Sequence, residues 1–140
     1  MVQPRKGQHP HRQMECNRDL LRAIVDSSPD AVAVKDRKGR YLKINTAGAR
    51  LLGRPARDVI GRDDSELLPP GAAVRAAETD RVVRESGRPL TYEALLRPPG
   101  AMKRRYRVTK GPCGDGFMGT TWVLAFDITQ GDAGLTAAPD

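Results

Sequence analysis

Few side chains in this sequence have the chemistry of a catalytic or metal-binding centre. The two histidines, His9 and His11, lie near the start of the chain, and the two cysteines, Cys16 and Cys113, are far apart. Neither arrangement has the spacing of a zinc site, so we expect solvated imidazoles and reduced thiols. No serine or cysteine nucleophile stands near a histidine in the central part of the sequence, and no glycine-rich phosphate loop is present. These observations argue against an enzyme.

Charged residues are the other candidates for chemistry. A basic cluster surrounds one predicted strand and consists of Arg97, Lys103, Arg104, Arg105 and Arg107. Because side chains alternate along a strand, Arg104 faces away from its neighbours, and the other three strand charges share one face. That face suits an anionic ligand or an acidic partner; alternatively, it is a solvated face that discourages edge pairing. A small acidic group, Asp63, Asp64 and Glu66, precedes a helix, where acids interact favourably with the helix dipole.

The overall composition describes one small basic domain. The chain has 140 residues, with 24 Lys plus Arg against 17 Asp plus Glu and a net charge of +7. The basic surplus raises nucleic acid as a partner, but three tyrosines, two phenylalanines and one tryptophan are too few for a base-stacking platform. We therefore expect no nucleic-acid partner. Duplex binding by the basic cluster is a weaker hypothesis, which salt-dependent retention on DNA would test.

The two ends of the chain differ from its middle. Residues 1–13 contain bases, prolines and almost no apolar side chains, which predicts a disordered basic arm, and residues 131–140 predict a flexible tail. The folded domain is then expected over residues 14–130.

No window approaches the roughly 18 consecutive apolar residues of a membrane span, and the first residues lack the apolar core of a signal peptide. We expect a cytoplasmic protein without membrane contact.

Hydrophobic patterning predicts a helix and a hairpin at the start of the domain. Asn17 is the expected cap of the helix. An apolar stripe runs along the helix and consists of Leu20, Leu21, Ile24 and Val25. Residues 31–35 and 40–45 then form two short strands, joined by a turn at Asp36-Arg37-Lys38-Gly39. Thr46 is the expected cap of the next short helix, which ends at Gly53.

The second half of the domain predicts a longer helix and three strands. The helix covers about residues 71–86, and the strands cover residues 90–96, 103–110 and 117–128. The last strand has apolar side chains on both faces: Thr121, Val123 and Ala125 on one, and Trp122, Leu124 and Phe126 on the other. Neither face of this strand looks solvated, so both faces must be covered.

Short motifs follow one another along the chain in an ordered series. They are Ser28-Pro29-Asp30-Ala31, Asp36-Arg37-Lys38-Gly39, Ile44-Asn45-Thr46-Ala47, Leu52-Gly53, Ile60-Gly61 and Asp127-Ile128-Thr129. In this order over residues 20–129, on a compatible pattern of strands and helices, the chain resembles the PAS sensor-domain family. Further residues are similar to the branch found as input modules of bacterial histidine kinases and diguanylate cyclases. These are Arg81-Val82-Val83, Gly87-Arg88-Pro89-Leu90, Glu93, Lys110 and Pro112.

The resemblance implies an α+β fold, with a five-stranded antiparallel sheet in the order 2-1-5-4-3. Short helices would cover one face, and the N-terminal amphipathic helix would cover the other. It also implies a sensory or regulatory role in bacterial signal transduction, with output through a partner or an effector domain such as a histidine kinase or a cyclase. A homodimer is expected, with the candidate interface Leu20, Leu21, Ile24, Val25, Trp122, Leu124 and Phe126. The alternative is a small-molecule binding protein, for a metabolite or a fatty or aromatic acid, without an effector.

Particular residues argue against two cofactors used in this family. Flavin-photochemical members carry a reactive cysteine in Gly-Arg-Asn-Cys, and the matching stretch here is Gly61-Arg62-Asp63-Asp64, so a flavin-cysteinyl adduct has no thiol. Haem-binding members use a histidine on the long helix, whereas both histidines here lie in the predicted arm. The other possible iron ligands, Cys113, Met102 and Met118, lie near loops or strand ends. If the domain has a ligand, we therefore expect an unidentified small organic molecule.

The resemblance also implies a cavity between the sheet and the helices. Its candidate walls are Asn45, Leu51, Leu52, Ile60, Leu67, Val83, Tyr92, Tyr106, Val108 and Val123, with Asn45 and Tyr106 as polar anchors. The alternative is that these residues simply fill the core. Asn45 would then hydrogen-bond to nearby backbone, which is a common role of asparagine at the end of a strand.

Overall fold

The computed structural model describes residues 10–113 and 119–129. Within these ranges the helices are α1 (Pro10–Ser27), α2 (Thr46–Leu52), α3 (Ala56–Val59), α4 (Asp64–Leu67) and α5 (Pro70–Ser86). The strands are β1 (Ala31–Lys35), β2 (Tyr41–Ile44), β3 (Leu90–Leu96), β4 (Arg104–Pro112) and β5 (Thr121–Asp127). The predicted strands and the long helix are confirmed. The start predicted for the last strand, at residues 117 and 118, lies outside the described residues.

The strands form one antiparallel sheet in the order β2-β1-β5-β4-β3. This is the order that the resemblance implies. β5 pairs with β1 on one side, where Ala33 faces Val123, and with β4 on the other, where Val108 faces Ala125. The central position of β5 explains its apolar residues on both faces, because a central strand has neighbours on each side and is partly shielded from solvent.

Helices α2 to α5 pack on one side of the sheet, which we call the inner face. Two clusters of buried side chains form the core there: Ala33, Tyr41 and Val59 in the first, and Tyr106, Val108 and Ala125 in the second. Val123 packs against both clusters. Helix α5 approaches the sheet closely because its buried residues include the small Ala73 and Ala76. The core is therefore divided along the sheet, with space between its two parts.

Asn45, not Thr46, caps helix α2. The Asn45 side chain accepts a hydrogen bond from the Gly48 backbone N–H at 2.9 Å, so Thr46 becomes the first helical residue. Asparagine has a carboxamide oxygen that reaches this N–H, which makes it the stronger cap. The predicted end of the helix is confirmed, because Gly53 adopts the left-handed conformation with φ 71°. This conformation favours glycine because it has no Cβ.

Helix α1 begins at Pro10 and not after the predicted cap Asn17, which lies well inside it. Proline is tolerated at the first helical position because the N–H that it lacks would have no partner there. Residues 10–13 of the predicted arm thus belong to the helix. Residues 1–9 and the predicted tail, 131–140, lie outside the described residues.

The apolar stripe of α1 remains exposed in the single chain. Leu20, Leu21 and Ile24 are 59%, 62% and 55% exposed. A groove lies between α1 and the hairpin of β1 and β2, lined by Leu21 and Val25 from the helix and by Val32 and other strand residues. The stripe is therefore not buried against the sheet. We expected α1 to cover the side of the sheet opposite the other helices, and in the single chain these three residues do not do so.

The side of the sheet opposite the helices, which we call the outer face, carries large apolar side chains. They are Val32, Val34, Trp122, Leu124 and Phe126, in register across β1 and β5. Phe126 is 46% exposed and the others are half-buried. The indole of Trp122 lies across Gly111 of β4, where a Cβ would come within 2.4 Å of the ring. Glycine at this position is thus what allows the tryptophan to lie flat on the sheet.

Candidate ligand-binding cavity

A cavity of about 710 Å³ lies between the inner face and helices α2, α4 and α5. All five strands contribute to its walls: Ala33 from β1, Tyr41 from β2, Tyr92 from β3, Val108 from β4 and Val123 from β5. Pockets of roughly 300–1,000 Å³ with mostly apolar walls are typical of small-molecule sites. The space between the two core clusters is therefore large enough for an organic ligand.

The structure brings together five of the predicted wall residues: Leu51, Leu52, Tyr92, Val108 and Val123. Five others do not line the cavity: Asn45, Ile60, Leu67, Val83 and Tyr106. Val83 is fully buried at the far end of α5, and Leu67 packs against the first core cluster. Ile60 is 43% exposed because it ends α3 and points away from the core. Apolar character alone did not distinguish wall residues from residues that fill the core.

Neither predicted polar anchor reaches the cavity. Asn45 uses its whole carboxamide on backbone groups, since its oxygen accepts from Val32 and Gly48 and its nitrogen donates to Val25 and Asp30. These contacts agree with the alternative interpretation, in which Asn45 hydrogen-bonds to nearby backbone and does not anchor a ligand.

Tyr106 is buried in the second core cluster and lines a separate depression beside Asp26 and Asp127. Burial raises the pKa of its hydroxyl, and the negative charge of Asp127 adds to this effect. The side chain is neutral at ordinary pH and faces away from the cavity, so it supplies no anchor there.

Four buried charged residues form a cluster that we call the charged quartet: Lys35, Asp64, Asp80 and Lys110. Asp64 and Lys110 line the inner end of the cavity, and Lys35 and Asp80 lie behind them in the same network. The ammonium of Lys35 bonds to the carboxylate of Asp64 and, at 3.0 Å, to that of Asp80. The ammonium of Lys110 donates to Asp80 at 2.7 Å, and the Tyr41 hydroxyl donates to Asp64 at 2.7 Å. The quartet is thus one continuous network in which two positive charges face two negative charges.

The surroundings of Lys35 favour its charged form. Burial by itself lowers the pKa of Lys35, but the charges of Asp64 and Asp80 outweigh this effect and raise it above its usual 10.5. Burial, followed by the charge of Asp64, raises the pKa of Tyr41 well above 10.0. Lys35 is therefore a cation and Tyr41 a neutral hydrogen-bond donor across the physiological range.

The sequence analysis missed this quartet, although the pattern contains a signal for it. Lys35 follows Ala31 and Ala33 at alternate positions of β1, so it must point to the inner face. Lys110 continues the same kind of series in β4, after Tyr106 and Val108. Two lysines on the covered face of a sheet require buried carboxylates, because a buried charge is costly without a partner.

The carboxylates of the quartet come from two helices. Asp80 lies on the buried side of α5, four residues after Ala76. Asp64 is the first residue of α4 and is buried, whereas Asp63 caps that helix by accepting from the Ser65 N–H. The three acids interpreted from the sequence as a favourable helix start therefore have three roles: Asp63 caps the helix, Asp64 is the partner of a buried lysine, and Glu66 pairs with Arg62 on the surface at 3.1 Å.

The other end of the cavity is an opening, which we call the mouth. It lies between the first turns of α5 and edge strand β3, where the lining residues Gly71, Arg75 and Leu95 are exposed. The Arg75 guanidinium lies 4.6 Å from the centroid of the Tyr92 ring. The Lys110 ammonium lies 5.4 Å from the same ring. Tyr92 therefore connects the mouth with the charged quartet.

One member of the basic cluster, Arg105, lines the cavity, and the other four lie outside it. Arg104 pairs with Asp127 at 2.8 Å, whereas Lys103, Arg105 and Arg107 are exposed. The predicted alternation of Arg104 against its neighbours is thus seen in the structure. Within residues 10–113 and 119–129, no group of histidine, cysteine and acidic side chains has the arrangement of a metal site. No helix in these ranges has the length and apolar character to cross a membrane.

A family model described as the PAS fold matches residues 25–132. The chain belongs to the PAS family. The matched range contains the sheet, helices α2 to α5 and the cavity, so the family assignment covers every element that builds the candidate site. It includes only the end of α1.

Three PAS-containing relatives indicate the setting of such domains. The aerobic respiration control sensor protein ArcB of Escherichia coli is 28% identical over 113 residues, which cover 79% of this chain and 14% of ArcB. The methanogenesis regulatory histidine kinase FilI of Methanothrix harundinacea is 30% identical over 112 residues, 79% of this chain and 12% of FilI. The structure of Vibrio cholera VqmA, in a complex with ligand and DNA, is 26% identical with a TM-score of 0.69, over 76% of this chain and 50% of that chain.

The chain spans only a small part of these curated relatives, about one-seventh of ArcB and less of FilI. The domain described here is therefore a PAS sensor module like those of histidine kinases, and its role belongs to signal transduction.

Proposed function

We propose that this PAS domain binds a small organic molecule in its cavity and forms a homodimer that reports occupancy to a histidine kinase or cyclase effector. The cavity carries the proposal, because its size, its apolar walls and its few polar side chains are those of a ligand site. VqmA, whose structure bound to DPO is 25% identical to this chain, supports small-molecule binding by analogy. No catalytic step is assigned to the domain.

Exposed apolar surface supports the dimer. The stripe of α1 exposes Leu20, Leu21 and Ile24, and the outer face of the sheet leaves Phe126 almost half exposed. Large exposed apolar residues that form a continuous patch mark interaction sites in soluble proteins. VqmA is described as a dimer, which supports a second copy of the same chain as the partner.

Native mass spectrometry of the purified protein tests ligand binding. We expect a mass above that of the chain, caused by a small molecule retained from the host cell. In the variant Ala72→Phe the added ring fills the cavity from α5, and the extra mass should be lost. The matched control is Ala77→Phe, on the same helix but exposed and away from the cavity, which should keep it. A wild-type protein with no retained molecule and no thermal shift in a metabolite library would contradict ligand binding.

Light scattering tests the dimer. We expect the double variant Leu20→Asp and Ile24→Asp to be a monomer, because two carboxylates on the apolar stripe cannot be buried in an interface. Arg22→Asp, an exposed substitution on the same helix, is the control and should remain dimeric. A dimer that survives the double variant would exclude the α1 stripe from the interface.

A further inference from the structure

The two ends of the cavity offer different chemistry to a ligand. At the inner end, the ammonium of Lys110 has no free hydrogen, since it donates to the Ala76 carbonyl, the Thr79 hydroxyl and Asp80. Lys35 is held between Asp64 and Asp80. The positive and negative charges of this end compensate one another, so it has no charge left over for an ionic ligand.

Three exposed charged residues line the cavity on the side of the mouth, Arg75, Glu93 and Arg105, and together they carry one net positive charge. Among the described residues, no carboxylate lies within ion-pair distance of Arg75, whose guanidinium stacks on Tyr92 instead. Stacking occupies the face of the guanidinium and leaves its N–H edge available for a planar, two-oxygen acceptor. Arg75 thus has the geometry of a carboxylate receptor at the opening of an apolar cavity.

The first turn of α5 reinforces this polarity. Gly71 and Ala72 line the cavity next to Arg75, and the helix has neither an acidic residue in its first turn nor a capping side chain. Backbone N–H groups at the start of a helix have no acceptor within the helix and carry partial positive charge. An anionic group at the mouth would therefore meet Arg75 and these dipoles from the same side.

We propose that the cavity takes an amphipathic monoanion, an organic carboxylate whose apolar body lies along Leu51, Leu52 and Val108 and whose carboxylate binds Arg75 at the mouth. The inference rests on the proposed ligand-binding function and adds the class of ligand and its direction of entry. The carboxylate stays at the mouth because the ammonium groups at the inner end are already bonded to Asp64 and Asp80 and leave no cation free for a ligand. A neutral ligand would use the same walls but would gain nothing from Arg75.

Isothermal titration with a matched pair of ligands tests the class. Decanoate and decanol have the same apolar chain, and only decanoate has a carboxylate. We expect wild-type protein to bind decanoate at least about 10-fold more tightly than decanol at low salt, because an arginine–carboxylate pair is a charge-assisted hydrogen bond. The preference should shrink as salt is added, since Arg75 is exposed to solvent.

Substitution of Arg75 assigns the preference to this residue. Arg75→Gln should bind the two ligands with nearly equal affinity, and Arg75→Lys should keep part of the preference because it keeps the charge but not the planar fork. The control is Arg81→Gln, on the same helix, where Arg81 is exposed and lies outside the cavity. This control should bind as the wild type does.

The possible outcomes distinguish failure of the proposed ligand class, an organic carboxylate, from failure of the proposed function, ligand binding in the cavity. Equal affinities in the wild type, or a preference that survives Arg75→Gln, would overturn the anion class while leaving a ligand site in the cavity. Failure of both probes to bind would also overturn this class, and retained mass in the native spectrum would then decide whether the cavity binds anything. A preference that disappears in Arg75→Gln, is reduced in Arg75→Lys and is unchanged in Arg81→Gln establishes the inference.

Discussion

Each face of the sheet departs in one respect from the usual distribution of polar and apolar side chains. The inner face, covered by helices, holds the charged quartet and the Tyr41 hydroxyl in a dense hydrogen-bond network. The outer face, which no helix of the described chain buries, carries Trp122, Leu124 and Phe126. Hydrophobic burial by itself would favour the opposite arrangement.

The charged quartet on the inner face and the apolar side chains on the outer face serve two different tasks. A buried, fully paired ion network contributes little to the net free energy of folding. A conformation in which one of its charges lacks a partner is strongly disfavoured, so the network fixes the orientation of the strands and helices that carry it. An apolar face left in solvent is costly unless another surface covers it. The inner face therefore holds the elements around the cavity in place, and the outer face is suited to contact with another chain.

Removal of one carboxylate from the quartet should have the largest effect. Asp80 contacts both lysines, so Asp80→Ala would leave Lys35 and Lys110 with too little negative charge. We expect a loss of about 3–5 kcal/mol in the free energy of unfolding, measured by urea denaturation. Glu78→Ala, at an exposed position of the same helix, should change it by less than about 0.5 kcal/mol. Equal effects of the two variants would mean that the inner face does not depend on its ion network.

The outer face is tested at Gly111. Its replacement by alanine places a Cβ where Trp122 lies, so the indole must move, at a cost of about 1–3 kcal/mol. Because the chain has one tryptophan, its fluorescence emission reports that movement directly. Gly71→Ala is the matched control, since the space around that position is open. An unchanged emission spectrum in Gly111→Ala would contradict the packing of the indole on β4.

High pH should weaken the inner face. Lys35 and Tyr41 have pKa values above 10.5 and 10.0 in the folded protein, so the unfolded chain loses these protons first. Their contribution to stability is then complete below about pH 10 and disappears as the pH rises through the folded-state pKa values. We expect the free energy of unfolding to fall above this pH, and to fall less steeply in Tyr41→Phe. The same slope in both proteins would show that Tyr41 does not contribute.

Charge reversal on the exposed part of the basic cluster should have the smallest effect. Lys103→Glu with Arg105→Glu is expected to change the free energy of unfolding by less than about 0.5 kcal/mol, because these side chains are exposed. Arg104→Glu should cost more, since it places two carboxylates together where Arg104 now pairs with Asp127. Unchanged ligand affinity in the double variant would also rule out these bases as an anion site.

The strands and long helix follow from the sequence because their signals are local. Alternation defines β1 and β3, and glycines such as Gly53 and Gly87 end the helices that precede them. The members of the charged quartet are far apart in the chain. No local sequence pattern predicts that Lys35 will pair with Asp80. For the same reason only five of the ten predicted wall residues line the cavity. Val83 and Val108 look alike in sequence, and only the packing of α5 puts one in the core and the other beside the open space.

The side chain of Asn45 links three elements of the fold by hydrogen bonds. One carboxamide holds the last turn of α1 through Val25, the start of β1 through Val32 and the first turn of α2 through Gly48. Gly48 is itself part of the cavity wall. One side chain therefore links the wall of the cavity directly, through its hydrogen bonds, to the last turn of α1.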